Sequence, residues 1–318
     1  MEKALGVRPR PFGGKLRWSV ALLLLVPLLA VTVMIAGAKL WMLGPDADIT
    51  IKPADMAEGA SAVDLLTDAT ATHMLHTCCA DSMEGPEDID GRPAVLFRVR
   101  PTDPLVKGNY RAELRLRPNA IGQSVWYRGR IFVPNGWKES QHHVIAMQWH
   151  GTRDVFLFEP GRPAPLQLSI IDDRWEITKS WDQRLLSPAS DDGGSEKAGR
   201  AVIGTAPLVT GRWLDWVFHV SWATDGSGRV RAWLDGHLVV DDRGPNTHRD
   251  LIGPYMKAGV YVPEWLSDGP EAGVDERALY LGTLRLSGGS DPFGMNATGF
   301  GEPGSTARQL ASSHGQER

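Results

Sequence analysis

Three separate segments of this 318-residue chain carry polar side chains at every second position. Residues of a β-strand alternate between the two faces of a sheet, so the alternate residues of each segment share one face. Any one segment alone would be an ordinary solvated strand face. Together they form a set that could bind and process an acidic ligand. The seven residues are Arg111, Glu113, Arg115, Gln148, His150, Lys257 and Tyr261.

The segments lie in a region whose hydrophobic pattern has a period of two from residue 94 onward, which predicts strands. Turn residues separate the apolar stretches, and Asp235-Gly236 predicts a type I′ hairpin. Short strands without helices between them predict an all-β fold, an antiparallel β-sandwich of the jelly-roll type over about residues 70–287, with the polar segments on its concave sheet. The predicted strands are Val95–Arg100, Arg111–Arg117, Val125–Val133, Val144–His150, Leu166–Ile171, Trp213–Trp222, Val230–Leu234, Tyr255–Val262 and Leu279–Leu286.

The polar segments resemble, in the same order, the three signature strands of alginate lyases of polysaccharide lyase family seven. The matching stretches are Arg111-Ala-Glu113-Leu-Arg115, Gln148-Trp-His150 and Tyr255-Met-Lys257-Ala-Gly259-Val-Tyr261. Their wider context is closer to the heparin lyase I and glucuronan lyase relatives, and the resemblance implies a concanavalin A-like jelly roll. Pro263 stands where alginate lyases commonly have glutamine, which argues against alginate as the substrate more than against lyase chemistry.

The resemblance implies that a uronic-acid-containing polysaccharide is cleaved by β-elimination, which leaves 4,5-unsaturated ends. The reaction needs neutralisation of the C6 carboxylate, a base for the C5 proton and an acid for the departing oxygen. His150 titrates near neutrality and is the expected base, whereas Tyr261, with an ordinary pKa of about 10, is the expected acid. Lys257 would favour the phenolate and could let Tyr261 act as the base instead. The expected substrate-binding residues are Arg111, Arg115, Gln148 and Lys257, with Glu113 orienting the arginines.

A non-catalytic carbohydrate-binding module is the alternative function. Such a module would use exposed aromatic rings, although packing in the core is the competing explanation for them. A module has no need for the Gln-x-His and Lys-x-x-x-Tyr pairs. A glycoside hydrolase is disfavoured because Glu113 is flanked by arginines that lower its pKa, and hydrolysis needs two suitable carboxyl groups. The tryptophans that could stack on sugars are Trp126, Trp149, Trp175, Trp181 and Trp265.

The N-terminal region differs from the rest of the chain in charge and hydropathy. Residues 1–44 carry six basic residues and one acid, whereas the chain as a whole has a net charge of −4. The uncharged stretch from Ser19 to Ala38 is long enough to cross a membrane as a helix, and basic flanks stay in the cytoplasm. These features predict export to the periplasm or cell surface, with an anchor in the cytoplasmic membrane; cleavage as a signal peptide after Ala38 is the alternative. The acidic body excludes nucleic acid as a partner.

The predicted organisation has five parts. They are a basic cytoplasmic segment (1–17), a transmembrane anchor or signal peptide (18–43), a linker (44–69), the jelly-roll lyase domain (70–287) and a disordered tail (288–318). No obligate protein partner is indicated, and no cofactor is required.

Metal and disulfide signals in the sequence are weak. Asp191, Asp192 and Glu196 offer too few oxygen ligands to support a structural calcium ion. His73 and His76 have the spacing of one helical face but lack further ligands, so no metal site is predicted. The adjacent Cys78 and Cys79 either pair with each other or stay unpaired and buried.

Overall fold

The computed structural model describes residues 42–60, 71–187 and 197–295, together with residues 29, 32, 33, 36 and 37, which are helical. Within these residues, no helix has the length and apolar character needed to cross a membrane. Several predictions fall outside the described residues. They concern the basic segment (1–17), most of the anchor (18–43), the acidic loop at 191–196 and the tail from residue 296 onward.

Fifteen β-strands and one short helix make up the described part of the sandwich, which confirms the predicted all-β class. The helix is α1 (Pro53–Met56), and three single 3-10 turns lie in the connections. The strands are β1 (Asp48–Ile51), β2 (His73–His76), β3 (Met83–Ile89), β4 (Arg92–Val99), β5 (Arg111–Pro118), β6 (Ser124–Phe132), β7 (Val144–Thr152), β8 (Leu166–Ile171), β9 (Arg174–Asp182), β10 (Ala198–Pro207), β11 (Trp213–Ser221), β12 (Arg229–Leu234), β13 (His237–Arg243), β14 (Ile252–Tyr261) and β15 (Arg277–Ser287).

The strands form two antiparallel sheets that enclose the core. The front sheet has the order β10-β9-β8-β7-β14-β5-β2, and the back sheet has the order β13-β12-β11-β6-β15-β4-β3, with β1 also paired to β15. Trp149 of β7 packs on Phe218 of β11, with ring centroids 4.8 Å apart. Because strand residues alternate, Gln148 and His150 on either side of Trp149 point to the outer face of the front sheet.

The turn between β12 and β13 is the predicted hairpin. Asp235 has a φ of 49° and Gly236 a φ of 82°, so both central residues occupy the left-handed region that a type I′ turn requires. The prediction from the Asp-Gly pair is confirmed.

The sandwich extends beyond the predicted limits at both ends. Residues 44–69 were expected to be a linker, but they contain β1, and Ile51 and Met56 are buried in the core. A period-two pattern over the four residues of β1 is too short to distinguish a strand from a linker. At the other end, Phe293 in the predicted disordered tail packs against Trp126 of β6, with ring centroids 6.2 Å apart.

The helical spacing of His73 and His76 is misleading, because both residues lie on β2. Residues three apart in a strand face opposite sides. Nε2 of His73 is 3.1 Å from the carbonyl oxygen of Met56, so this ring anchors α1. Cys78 and Cys79, just after the strand, form a disulfide with each other.

Gly259 determines how closely β14 approaches β5. Its φ is 142°, a conformation that other residues rarely adopt. A Cβ atom there would lie 2.2 Å from the carbonyl oxygen of Ala112 and 2.8 Å from the Cα of Glu113. Both atoms belong to the backbone of β5, so the neighbouring strand would have to move to admit a side chain.

We therefore expect Gly259→Ala to lower the free energy of unfolding by about 2–4 kcal/mol, as strain and overpacking add. The matched control is Gly226→Ala, because a Cβ at that turn position meets nothing within 4 Å. Urea unfolding of both variants measures the difference, with the control expected within about 0.5 kcal/mol of the parent chain. Equal stability of the two variants would contradict the assigned role of Gly259.

Candidate active site

The three polar segments lie on adjacent strands of the front sheet, because β14 is hydrogen-bonded to β7 on one side and to β5 on the other. In the β14–β7 pair Lys257 is opposite Gln148, and in the β14–β5 pair it is opposite Arg115. Side chains opposite each other in a ladder point to the same face. All seven residues singled out by their pattern therefore share the outer face of this sheet.

Glu113 is the centre of the hydrogen-bond network on this face, and its side chain is 2% exposed. Its carboxylate accepts hydrogen bonds from Gln148 Nε2 at 2.5 Å, Lys257 Nζ at 3.2 Å and Arg111 Nη1 at 3.3 Å. Burial works to raise the pKa of Glu113, but the charges of Lys257 and Arg111 and the hydrogen bonds outweigh it and hold the pKa below its ordinary value. Glu113 is thus an ionised residue that positions its three donors.

Lys257 is buried between the two arginines on the same face, and it is 3% exposed. Burial lowers the pKa of Lys257, although the charge of Glu113 opposes the shift. The ammonium group and Glu113 are therefore held as a buried ion pair, with arginines on either side.

Tyr261 lies at one end of the network. Its hydroxyl accepts a hydrogen bond from Nδ2 of Asn109 at 3.2 Å, and the guanidinium of Arg111 lies 4.2 Å from the ring centroid. Burial raises the pKa of Tyr261 above its ordinary value, against the opposing charge of Arg111. The phenol is therefore protonated at neutral pH, the form that can donate a proton.

His150 has a defined tautomer when neutral. Its Nδ1 is 2.8 Å from the carbonyl oxygen of Gly151, and a carbonyl can only accept, so Nδ1 carries the hydrogen. This leaves the lone pair on Nε2 as the basic position. Burial, followed by the charge of Lys257, lowers the pKa of His150 to about 4. At neutral pH the ring is an unprotonated base.

Tyr255, which lies on the same face of β14, links His150 to Arg115. The rings of His150 and Tyr255 stack at 5.6 Å between centroids, and the Arg115 guanidinium lies 3.9 Å from the Tyr255 centroid. Burial lowers the pKa of Arg115 from its ordinary value, yet an arginine remains charged. The aromatic ring therefore holds one base and one cation in fixed positions.

A groove crosses these strands, and two connected sections of it share Arg111, His150 and Arg162. One section is lined by Gln148 and Tyr261, and the other by Arg115, Tyr255 and Lys257. His150 and Tyr261 thus line the same section, with the carboxylate-binding candidates around them. A polyanion fits this groove, because cationic side chains from several elements converge on it.

Sequence reasoning did not identify His76 of β2 as a groove residue. It lies opposite Glu113 in the ladder and lines the section that contains Arg115 and Lys257. Neither ring nitrogen has a hydrogen-bond partner among the described residues. Burial, then the charge of Lys257, lowers the pKa of His76 to about 3, so the ring is neutral. An isolated histidine on a short strand carries no pattern from which this position could be inferred.

Three carboxyl groups around Arg162 form one of two clusters of possible metal ligands in the described part of the chain; the other, with Asp103, contains the disulfide-bonded Cys78 and Cys79. Oxygens of Asp154, Glu159 and Asp250 lie within 4.8 Å of one another. Arg162 already bridges two of them, donating to Glu159 at 3.3 Å and to Asp250 at 2.6 Å. Burial raises the pKa of Asp250 to about 7, so the cluster is partly neutralised by a proton as well as by the arginine.

The tryptophans do not form an exposed platform. Trp149 and Trp175 are in the core between the sheets, while Trp126 and Trp265 are each 2% exposed. Only Trp181 of the five is half-buried. None of these five rings is exposed, so these tryptophans do not provide the stacking surface that a binding module would use.

Comparisons with known proteins bear on the fold and on the family. No curated protein sequence matches the chain. An endo-β-1,4-glucuronan lyase from the fungus Trichoderma reesei has a similar fold, with a TM-score of 0.53 at 18% identity over 69% of this chain and 88% of that one. The alginate lyase AlgAT5 of polysaccharide lyase family 7 gives a TM-score of 0.45 at 14% identity, over 68% of this chain and 94% of that one. The model of the polysaccharide lyase family matches residues 84–285, the span that carries every groove strand except β2, and the chain belongs to that family.

Proposed function

We propose that this polysaccharide lyase cleaves a uronic-acid-containing polysaccharide by β-elimination. The observation that carries the proposal is the groove section in which a neutral His150 and a protonated Tyr261 lie together with Arg111 and Gln148. An acid and a base in complementary protonation states at neutral pH are what the elimination needs. The glucuronan lyase with a similar fold acts, by its name, on a polyuronate.

In this mechanism Arg115, Gln148 and Lys257 hold the C6 carboxylate, which makes the C5 proton more acidic. Nε2 of His150 takes the C5 proton, and the C5–H electron pair forms the C4–C5 double bond. The C4–O bond breaks, and the Tyr261 hydroxyl gives its proton to the leaving oxygen. One product chain thus gains a free hydroxyl and the other an unsaturated end.

A plain polyuronate is the proposed substrate class. Glu113 already neutralises part of the positive charge contributed by Arg111 and Lys257. A groove that binds a sulfated polysaccharide would need more basic residues than one that binds a plain polyuronate. A panel of polyuronates and glycosaminoglycans, assayed for ultraviolet absorbance of the unsaturated product, tests this choice. Binding of polyuronates without any absorbance increase would instead favour the carbohydrate-binding module.

We also propose that the protein is exported and held in the cytoplasmic membrane by residues 18–43. Support comes from five basic residues ahead of a long uncharged apolar stretch. Reporter fusions after Asp46 should be active outside the cytoplasm. N-terminal sequencing of the mature protein then tells an anchor from a cleaved signal peptide.

Tyr261→Phe should lower kcat by about 10²–10⁴-fold, because it removes the proposed proton donor; the hydrogen bond from Asn109 is lost with the hydroxyl. Tyr280→Phe is the matched control, because it removes the same hydroxyl group from a tyrosine of the back sheet. Steady-state kinetics on the cleaved polymer measures both variants. Wild-type turnover by Tyr261→Phe would exclude the assigned role.

Arg115→Ala should raise KM and lower kcat together, because charge neutralisation serves both the bound substrate and the transition state. Arg174→Ala is the control, as Arg174 is an exposed arginine of the same sheet that pairs with Asp172 at 3.5 Å. A change in KM alone would place Arg115 in binding and remove it from carboxylate activation.

The acid side of the pH profile should reflect His150. Because burial and Lys257 lower its pKa from 6.5 to about 4, the base stays unprotonated well below neutrality. We expect kcat/KM to be flat from neutrality down to about pH 5 and to fall as the pH drops through about 4.

His219 on the back sheet provides the control for this profile, since burial also lowers its pKa to about 4. The variant His219→Asn should keep the acid limb, and circular dichroism at each pH excludes unfolding as its cause. An inflection near 6.5 in the folded enzyme would argue against His150 as the base.

A further inference from the structure

Tyr261, the proposed proton donor, receives a hydrogen bond from a side chain outside the seven residues of the sequence pattern. Nδ2 of Asn109 lies 3.2 Å from the hydroxyl oxygen of Tyr261. Asn109 precedes Arg111 by two positions, so it continues the alternate row of Arg111, Glu113 and Arg115 on the outer face of the front sheet. Tyr261 is opposite Arg111 in the ladder. The contact therefore follows from the register of β14 on β5.

A tight turn sets the backbone position of Asn109. Val106 and Asn109 exchange two backbone hydrogen bonds, of 2.9 and 3.2 Å. The two residues between them, Lys107 and Gly108, have φ values of 50° and 76°. Both values lie in the left-handed region that the centre of a type I′ turn requires. The turn thus holds the Asn109 side chain within reach of Tyr261.

The orientation of the Asn109 amide is defined by its second contact. Its Oδ1 accepts a hydrogen bond from the backbone N–H of Tyr110 at 3.2 Å, and a backbone N–H can only donate. The amide oxygen therefore faces Tyr110, and the NH₂ group faces Tyr261. Because the NH₂ group is a donor, the Tyr261 hydroxyl is the acceptor in this contact.

This contact restricts where the hydroxyl proton of Tyr261 can lie. A phenol has one O–H to donate, and that bond cannot point at the N–H of Asn109. The guanidinium of Arg111, 4.2 Å from the ring centroid, is also a donor only. Tyr261 lines the groove section that contains His150. The proton is therefore left to point into the groove, where the leaving oxygen of a substrate would accept it.

The same hydrogen bond favours the phenolate that forms when Tyr261 gives up its proton. A donor to the charged form of a group stabilises that form, and such bonds are stronger than those between neutral groups. Burial, together with the charges of Glu113 and Glu264, raises the pKa of Tyr261, whereas the charge of Arg111 opposes the shift. The N–H of Asn109 acts in the same direction as Arg111, by stabilising negative charge on the phenol oxygen.

Asn109 does not itself face the substrate path. It is not among the described residues that line either section of the groove. Its amide is used on both sides, by the N–H of Tyr110 and by the hydroxyl of Tyr261. An effect of Asn109 on the reaction would therefore pass through Tyr261.

We propose that Asn109 is a positioning residue for the general acid, directing the Tyr261 proton toward the leaving oxygen and stabilising the phenolate left behind. The inference rests on the proposed function, in which Tyr261 is the acid. The O–H bond of Tyr261 breaks, its proton moves to the leaving oxygen, and the electron pair stays on the phenol oxygen beside the Asn109 N–H. Water then returns a proton to the phenolate, and His150 releases to water the proton that it took.

The isosteric variant Asn109→Asp separates this role from support of the turn. One carboxylate oxygen can still accept from the Tyr110 N–H, but the other would accept the Tyr261 proton instead of donating to the hydroxyl. We expect kcat on the polyuronate that yields the unsaturated product to fall about 10- to 100-fold, as for the loss of a hydrogen bond to a charged group. A kcat equal to that of the parent chain overturns the proposal.

Asn135→Asp is the matched control for the added charge. Asn135 is exposed in the turn that follows β6, and it lines neither section of the groove. This variant should keep the kcat of the parent chain. A fall in kcat as large as that of Asn109→Asp would mean that charge alone is responsible, and it would overturn the proposal.

A double-mutant cycle tests whether Asn109 acts through the phenol. Asn109→Ala removes the donor without adding charge, and it should lower kcat about 10-fold or more while KM stays within about two-fold. In the Tyr261→Phe background the same substitution should change kcat by less than about two-fold. Equal effects in both backgrounds overturn the proposal, and so does a raised KM with unchanged kcat, because Asn109 would then bind the polymer.

The cycle also separates this inference from the proposed function. Wild-type turnover by Tyr261→Phe contradicts the assignment of the acid, and the role of Asn109 fails with it. A lowered kcat in Tyr261→Phe with additive effects of the two substitutions contradicts the role of Asn109 alone. Circular dichroism verifies the fold of each variant, and if Asn109→Ala does not fold, Asn109→Asp, which retains the contact with Tyr110, takes its place in the cycle.

Discussion

One buried carboxylate organises the candidate active site. Glu113 accepts hydrogen bonds from Gln148 on β7, from Lys257 on β14 and from Arg111 on its own strand. A buried ion is stable only when its partners compensate for lost hydration, so removing one of the three donors would leave the charge of Glu113 less well compensated. Because the buried carboxylate of Glu113 needs these hydrogen bonds, the three donors are held in one arrangement before substrate binds.

The charge balance around Glu113 leaves the groove positive. One carboxylate faces Lys257, Arg111 and, two residues along β5, Arg115. The excess of positive charge is what a uronate would neutralise. Burial, and after it the charge of Lys257, disfavours a charged imidazole at both His150 and His76 and lowers the pKa of each. Lys257 thus helps to keep both histidines neutral, and in the proposed reaction it also binds the uronate carboxylate.

Much of the front sheet could be predicted from alternation alone. The pattern in Arg111–Arg117 and in Gln148–His150 was sufficient to place their polar side chains on one face, and Asp235-Gly236 was sufficient for the hairpin. Strand order could not be derived in this way, because β5, β7 and β14 are far apart in the chain. The sequence analysis predicted only that the polar segments share one sheet, and the placement of β14 between β7 and β5 is seen in the structure.

Other residues lacked any local signal. His76 is on a four-residue strand next to a disulfide, and its position depends on pairing with β5. Asn109 lies in a turn and reaches Tyr261 only because the sheet brings the two together. β10 is rich in glycine and alanine and lies at the sheet edge, where packing demands little of the sequence. Such elements follow from tertiary contacts more than from their own residues.

The packing of Phe293 on Trp126 has a practical consequence for handling the enzyme. Trp126 and Trp233 stack on the outer face of the back sheet, apart from the main core, and Phe293 and Met295 cover them. The described chain therefore ends on the side of the sandwich away from the groove. Trimming the chain before residue 293 would therefore uncover two indole rings and favour aggregation, so a shortened chain should keep residues 293–295.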